Sequence, residues 1–232
     1  MNKSYRHLFF DLDHTLWDFE KNTAEALHDL YDLFQFSKKN GFSCTDLIRV
    51  YHEVNNVLWK KFGSGRLDMY ELRKIRFPTV LTKLGMKQKD IPANIGMKYL
   101  EIAPRKSHVM PYTKDVLKYL NEKYKLHLIT NGFNDVQLIK IKHAGINNYF
   151  KEIITSDTAG CHKPDKGIFD YALRVSGSKR KEAVMIGDNI EADIQGARNA
   201  SIDQIYFNPK KLKHDFPVTH EIFSLKELMK IL

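Results

Sequence analysis

Short apolar runs of strand size recur along the chain: His7 to Phe10, Leu126 to Ile129, Ile153 to Thr155, Ala183 to Ile186 and Gln204 to Phe207. From Leu126 onward the intervening stretches are long enough for helices and carry apolar residues at helical spacing. They are Asn134 to Ala144, ending at Gly145; Lys166 to Val175, ending near Gly177; and Ile190 to Ala200, after Gly187-Asp-Asn189. Strands alternating with helices in this way predict βαβ units and a parallel sheet. A capping box, Ser224-Leu-Lys-Glu227, opens a last helix.

Residues 17–106 break the alternation. Four amphipathic helical segments follow one another there with no strand between them: Asn22 to Phe36, Thr45 to Phe62, Asp68 to Leu84 and Pro92 to Ala103. A stretch of roughly ninety residues is too long for an ordinary crossover connection. The expectation is a helical cap, residues 17–106, inserted into an α/β core built from residues 1–16 and 107–232. Lys38-Lys-Asn-Gly41 reads as a loop between cap helices, and Lys210 to His214 as a basic surface loop.

Composition narrows the class. Of 232 residues, 43% are hydrophobic and 28% charged, enough to fill a core and cover it, so wholesale disorder is excluded. Cys44 and Cys161 lie far apart and form no Cys-x-x-Cys pair, which argues against a disulfide scaffold or a structural zinc and fits a reducing compartment, the cytoplasm. The apolar stretch Leu8-Phe9-Phe10 stops at Asp11, too short for a secretion signal, and no run approaches the roughly 20 residues that span a bilayer. With 37 basic against 28 acidic residues, the formal charge of +9 admits nucleic acid, an anionic membrane or a small anionic substrate as partner. Basic residues are scattered rather than striped, which disfavours a catalytically silent nucleic-acid-binding module.

Chemistry is concentrated at the carboxyl ends of the expected strands. In order these carry Asp11-Leu-Asp13-His-Thr15, Thr130-Asn131-Gly132, Lys163-Pro164, and Gly187-Asp188-Asn189 with Asp193 behind it. Ligands of open α/β sheets bind in the crevice outside those ends, so the four clusters converge. Asp11 and Asp13 repel each other unless a cation lies between them or one holds a proton. Mg²⁺, which takes oxygen ligands and keeps several waters, suits carboxylates and a phosphate oxygen, with Asp188 as a further ligand. Asp11 is the candidate nucleophile toward phosphorus and Asp13 the proton donor and acceptor. Thr130, Asn131 and Gly132 end a strand before a helix and form a candidate phosphate cradle, to which Lys163 adds a point charge.

Asp-Leu-Asp-His-Thr, Ile-Thr-Asn-Gly, His-Lys-Pro-Asp and Gly-Asp-Asn with the later Asp resemble, in order, the four motifs of the haloacid dehalogenase-like hydrolase superfamily. The resemblance implies a doubly wound parallel sheet, Rossmann-like, with a helical cap that sets substrate specificity. It implies the roles just described for Asp11, Asp13, Thr130, Asn131, Lys163 and Asp188. It adds a metal-bound backbone carbonyl at Asp13, and Asp193 with Asn189 in the shell around the metal, although both residues equally suit the first turn of a helix. Among helical-cap members the chain is most similar to pyrimidine 5′-nucleotidases, through Asn55-Asn-Val-Leu-Trp59, Gly63-Ser-Gly-Arg66, Ile129-Thr-Asn-Gly-Phe133 and Ile168-Phe-Asp-Tyr-Ala172. A nucleoside monophosphate is the implied substrate. The alternative is a sugar-phosphate phosphatase or phosphomutase on the same core. His14 departs from the pattern, standing where many relatives have glycine.

Overall fold

The computed structural model describes residues 5–39 and 41–232. Six parallel strands form its sheet: β1 (His7–Phe10), β2 (Lys125–Thr130), β3 (Phe150–Thr155), β4 (Ala183–Gly187), β5 (Asp203–Phe207) and β6 (His220–Ile222), in the order β3-β2-β1-β4-β5-β6. From β1 the chain winds to one side through β2 and β3, then crosses to β4 on the other. The fold is doubly wound, with its switch point between β1 and β4. The edge strand β6 is the one strand not expected from the sequence; its three residues are His-Glu-Ile, and a run that short and polar carries no strand signal.

Alternate side chains of each strand enter opposite cores, as the pleat requires. Leu8 and Phe10 pack with Leu128, Ile186, Val116, Leu117 and Leu120 on one face. Phe9 packs with Ile129, Met185, Ile168, Phe169 and Ala172 on the other. Burial on both faces makes the strands continuous apolar runs rather than alternating ones. The helix Thr113–Asn121, which supplies Val116, Leu117 and Leu120, has nine residues and was not singled out in the sequence.

The chain divides into two compact units, one made of the residues up to Phe19 together with Ser107–Leu232, the other of Glu20–Lys106. Trp17 to Phe19, counted with the cap in the sequence, fall in the sheet unit. The backbone explains the shift: Met110 N–H donates to Leu16 O at 2.9 Å and Asp18 N–H to His108 O at 3.1 Å, tying the two strands of the connection together.

The second unit consists of helices Phe36–Lys39, Cys44–Gly63, Met69–Lys83 and Ile95–Ile102 with most of Phe19–Leu33, and it has its own core of Leu27, Leu30, Leu47, Tyr51, Phe77, Val80 and Tyr99. Capping boxes at Ser43 with Asp46 and at Asp68 with Glu71 set two of its helix starts. The expected Asn22 to Phe36 helix is interrupted at Gln35, whose φ is +53°, and Phe36–Lys39 continues as a helical turn where a loop was expected. Asn40 of that expected loop lies outside the described residues. No helix among the described residues is long and apolar enough to cross a membrane.

Candidate active site

Asp11 extends β1 by one residue, its N–H donating to Ile186 O of β4 at 2.9 Å. The chain then turns sharply. Leu16 and Trp17 N–H both donate to Leu12 O, at 2.9 and 2.8 Å, and His14 N–H donates to Trp17 O at 2.9 Å. Leu12 and Leu16 anchor the turn in the core. His14 sits at φ +66°, the left-handed region in which glycine is strain-free, which accounts for the glycine usual at this place.

Lys163 is the hub of the site. Its buried ammonium donates to Asp11 Oδ1 at 2.6 Å, to Asp193 Oδ1 at 2.6 Å and to Ile129 O at 2.8 Å, which uses all three of its protons. Burial disfavours the charged amine, but the two carboxylates outweigh it and push the Lys163 pKa up. Asn131 fixes the backbone at this point: its Nδ2 donates to Lys163 O at 2.8 Å and its Oδ1 accepts from Lys163 N–H at 2.7 Å. The Asn131 side chain therefore secures the lysine loop, rather than standing open as part of the expected cradle.

Asp188 follows β4 and accepts from Thr15 Oγ1 at 3.1 Å. Carboxylate oxygens of Asp11, Asp188 and Asp193 lie within 4.8 Å of one another. Burial, opposed by Lys163 and reinforced by Asp193, pushes Asp11 up to about 7, and burial with the Asp11 and Asp193 charges pushes Asp188 well above the carboxylate range. One lysine thus leaves this cluster undercompensated. An all-oxygen donor set with surplus negative charge fits a hard divalent cation. Both Asp193 oxygens already accept hydrogen bonds, Oδ1 from Lys163 and Oδ2 from Asn189 N–H at 3.0 Å, so the oxygens left for a cation belong to Asp11 and Asp188.

Asn189 and Asp193 both begin the next helical segment and serve the site. Asn189 caps it, its Oδ1 accepting from Ala192 N–H at 2.9 Å. The expected helix Ile190 to Ala200 opens as a wide π-type turn, Ile190–Gln195, and tightens to Gly196–Asn199; widened turns of this kind are frequent at functional sites.

The Asp13 carboxylate is engaged elsewhere. Lys140 Nζ donates to its Oδ1 at 2.6 Å and Oδ2 at 2.8 Å, and Gln137 Nε2 donates to Oδ2 at 2.9 Å. Burial opposes the charge of Asp13, yet Lys140 and these hydrogen bonds hold its carboxyl below the usual range. The same Gln137 amide donates to Thr130 Oγ1 at 2.7 Å, which also accepts from Gly132 N–H at 3.1 Å. Both acceptor positions of Thr130 are then filled, leaving its O–H proton to donate. The Gly132 N–H, expected free for an anion, is committed to this bond. Gln137 Oε1 is buried with no partner among the described residues, an arrangement that costs about 1–3 kcal/mol.

The four expected clusters therefore meet at the strand ends, with Asp11, Lys163, Asp188 and Asp193 in one group, and Asp13 and Thr130 joined in another by Gln137. Gln137 and Lys140 were not singled out in the sequence. The available signal was two polar residues three apart on the helix Asn134–His143, at positions where an amphipathic helix would place apolar residues.

Fold and site together define a hydrolase with an acidic centre at the switch point of a doubly wound sheet. The chain belongs to the haloacid dehalogenase-like hydrolase family, whose profile matches residues 5–201. It is 30% identical to the HAD-hydrolase YfnB of Bacillus subtilis, over 99% of this chain and 96% of that protein. The crystal structure of YfnB bound to magnesium superposes with a TM-score of 0.87 at 29% identity, covering 99% of each chain. Pyrimidine 5′-nucleotidase PynA of Streptococcus pneumoniae is 30% identical over 97% of this chain and 94% of its own. A glyceraldehyde 3-phosphate phosphatase of Methanothermobacter thermautotrophicus is 31% identical over 96% of this chain and 98% of its own. The chain is a phosphatase of this family.

Proposed function

We propose that this enzyme hydrolyses small phosphomonoesters, nucleoside 5′-monophosphates foremost, in a Mg²⁺-dependent reaction through an aspartyl-phosphate on Asp11. The observation that carries the reading is the fixed Asp11 carboxylate, held at 2.6 Å by Lys163 through one oxygen, which keeps a second lone pair for a cation, with the other oxygen left to attack. Attack forms the Asp11–phosphorus bond as the ester bond breaks, and the departing oxygen takes a proton through Asp13, which is ionised beside Lys140 in the free site and receives that proton from a substrate entering as its monoanion. Water then attacks the aspartyl-phosphate and gives its proton to Asp13, which passes it to the leaving phosphate, restoring both carboxylates.

The Thr130 hydroxyl proton donates to a phosphoryl oxygen, while Asn131 and Gly132 keep the loops on either side in place. Lys163 acts through its charge, since its protons are already committed. Held by the Asp11 and Asp188 carboxylates with the Asp13 backbone carbonyl, and with Asp193 and Asn189 around it, Mg²⁺ would offset the repulsion between a phosphate dianion and the Asp11 carboxylate. Choice of leaving group belongs in this reading to the helical unit Glu20–Lys106. The relative named pyrimidine 5′-nucleotidase supports the nucleotide. The relative named glyceraldehyde 3-phosphate phosphatase supports a sugar phosphate as the second reading.

The test is phosphate release by the purified protein with Mg²⁺ from pyrimidine and purine nucleoside 5′-monophosphates, glyceraldehyde 3-phosphate, hexose and pentose phosphates, and p-nitrophenyl phosphate. A higher kcat/KM on nucleotides is expected. Preference for a sugar phosphate replaces the substrate, and no release from any monoester overturns the reading.

A further inference from the structure

Lys140 and Gln137 stand three residues apart on one helix, both buried, and both direct their donors at Asp13. Lys140 reaches no other carboxylate in the site. Its ammonium sits 4.4 Å over the Trp17 ring and 5.9 Å from that of Phe19, so aromatic faces and Asp13 together enclose it.

The chemistry of the loop supplies the reason for this arrangement. A free carboxylate two residues from Asp11 would be drawn to the same cation that Asp11 and Asp188 attract, and once captured as a ligand it would no longer serve a leaving group. An ammonium contacting both of its oxygens competes directly with such capture. Gln137 is spent in the same place: each of its two N–H groups has an acceptor, Asp13 and Thr130, while its carbonyl is left unpaired. Room for it comes from Gly132, where a Cβ would stand 2.0 Å from Gln137 Nε2. The glycine of Thr-Asn-Gly is thereby required by the glutamine packed against it.

We propose that Lys140 and Gln137 are positioning residues that hold the Asp13 carboxylate apart from the Asp11–Asp188 cluster, where it serves the leaving group, and that Gln137 at the same time turns the Thr130 hydroxyl proton outward. The inference rests on the phosphatase reading for its kinetic consequence, and on geometry alone for its effect on metal binding.

Lys140→Met, Lys140→Arg and Gln137→Leu separate it from a purely structural ion pair. Turnover is measured on an alkyl monoester, the best substrate of the panel, and on p-nitrophenyl phosphate, whose leaving group needs no proton. Mg²⁺ binding to the substrate-free protein is measured by titration calorimetry. Lys140→Met is expected to lose at least about tenfold in kcat on the alkyl ester but less than about threefold on the aryl ester, with KM little changed. It is also expected to bind Mg²⁺ more tightly, by about threefold or more, as Asp13 joins the cluster. Lys140→Arg restores the ratio of the two rates, and Gln137→Leu shifts that ratio in the same direction as Lys140→Met.

Equal losses on both esters with unchanged Mg²⁺ affinity overturn the proposal. Should Lys140→Met fail to fold, Gln137→Leu decides by the same two measurements. If the wild-type protein releases phosphate from neither ester, the phosphatase reading fails, and the Mg²⁺ affinities still decide whether Lys140 keeps Asp13 off the cluster.

Discussion

Gly187 and Asp193 are packed so closely that a Cβ at position 187 would stand 2.3 Å from Asp193 Oδ2 and 2.4 Å from its Cγ. The end of β4 and the buried acid of the following turn thus have to be considered together. Gly187→Ala is expected to displace Asp193 from both Lys163 and Asn189 N–H, lowering stability by about 2–3 kcal/mol in chemical denaturation. Mg²⁺ affinity should fall with it. Wild-type values for both would mean that the carboxylate can move freely.

Among the described residues, Lys163 is the one buried cation bonded to Asp11 and Asp193. Lys163→Met leaves Asp11 and Asp193 facing each other, and a buried pair broken on one side costs about 3–5 kcal/mol. Unfolding without metal should show this loss, Mg²⁺ should recover part of it, and phosphate release should drop by at least about 100-fold.

Burial, against the pull of Lys163, pushes Asp11 up to about 7. With the folded value above the unfolded one, the folded protein binds the extra proton between about pH 4 and 7. Its stability contribution is full below that window and lost as pH rises through it, at about 1.4 kcal/mol per pH unit. Asp11→Asn should remove this slope, so that the metal-free variant gains on the wild type as pH rises from 4 to 7 while turnover is abolished. Mg²⁺ should raise the wild-type Tm more at pH 7.5 than at pH 5. A variant that tracks the wild type across this range would contradict the shift.

The opposite slope is expected from His127. It lies against His7, Nε2 to Nδ1 at 3.1 Å, and stacks on Phe9. Burial first, then the charges of His7, Lys125 and Lys151, lower its pKa to about 3. The unfolded chain takes up a proton near pH 6.5 that the folded chain refuses, so stability is lost as pH falls from there toward 3. The loss amounts to about 3 kcal/mol at pH 4. His127→Phe should be spared it, and denaturation of both proteins at pH 7 and pH 4.5 measures the difference.

His14 holds φ +66° with its ring against Phe19 at 4.6 Å. His14→Gly should cost little or nothing, because relief of about 1 kcal/mol of backbone strain offsets the lost ring contact and the added chain entropy. His14→Val should destabilise by about 1–2 kcal/mol. Thermal unfolding ranks the three proteins, and a valine variant as stable as wild type would show that the turn adopts another conformation.

Local sequence was enough to reveal the βαβ pattern, since β1, β2, β4 and β5 are apolar runs flanked by turn residues, and the motifs after β1, β2 and β4 are contiguous. The same local order carried the family resemblance and placed Asp11, Thr130 and Asp188 at strand ends, while Lys163, expected at one too, stands in the loop after the short helix Ser156–Ala159 that follows β3. β6 escaped because three residues, two of them polar, carry no alternation, whereas the helix Thr113–Asn121 does place Val116, Leu117 and Leu120 at helical spacing.

Which side chains pair was decided by the sheet order. Setting β1 between β2 and β4 brings Lys163 to an acid 152 positions earlier and Lys140 to one 127 positions earlier, distances over which sequence pattern carries no signal. The sequence by itself therefore determined the inventory of reactive groups and the strand ends that carry them. Only the tertiary structure decided that Asp193 bonds to Lys163, that Lys163 has no proton left over, and that Asp13 is turned toward Lys140 and Gln137. The physical reason is that strand and turn preferences act between chain neighbours, whereas a buried charge takes whatever partner the packed sheet places within hydrogen-bonding distance.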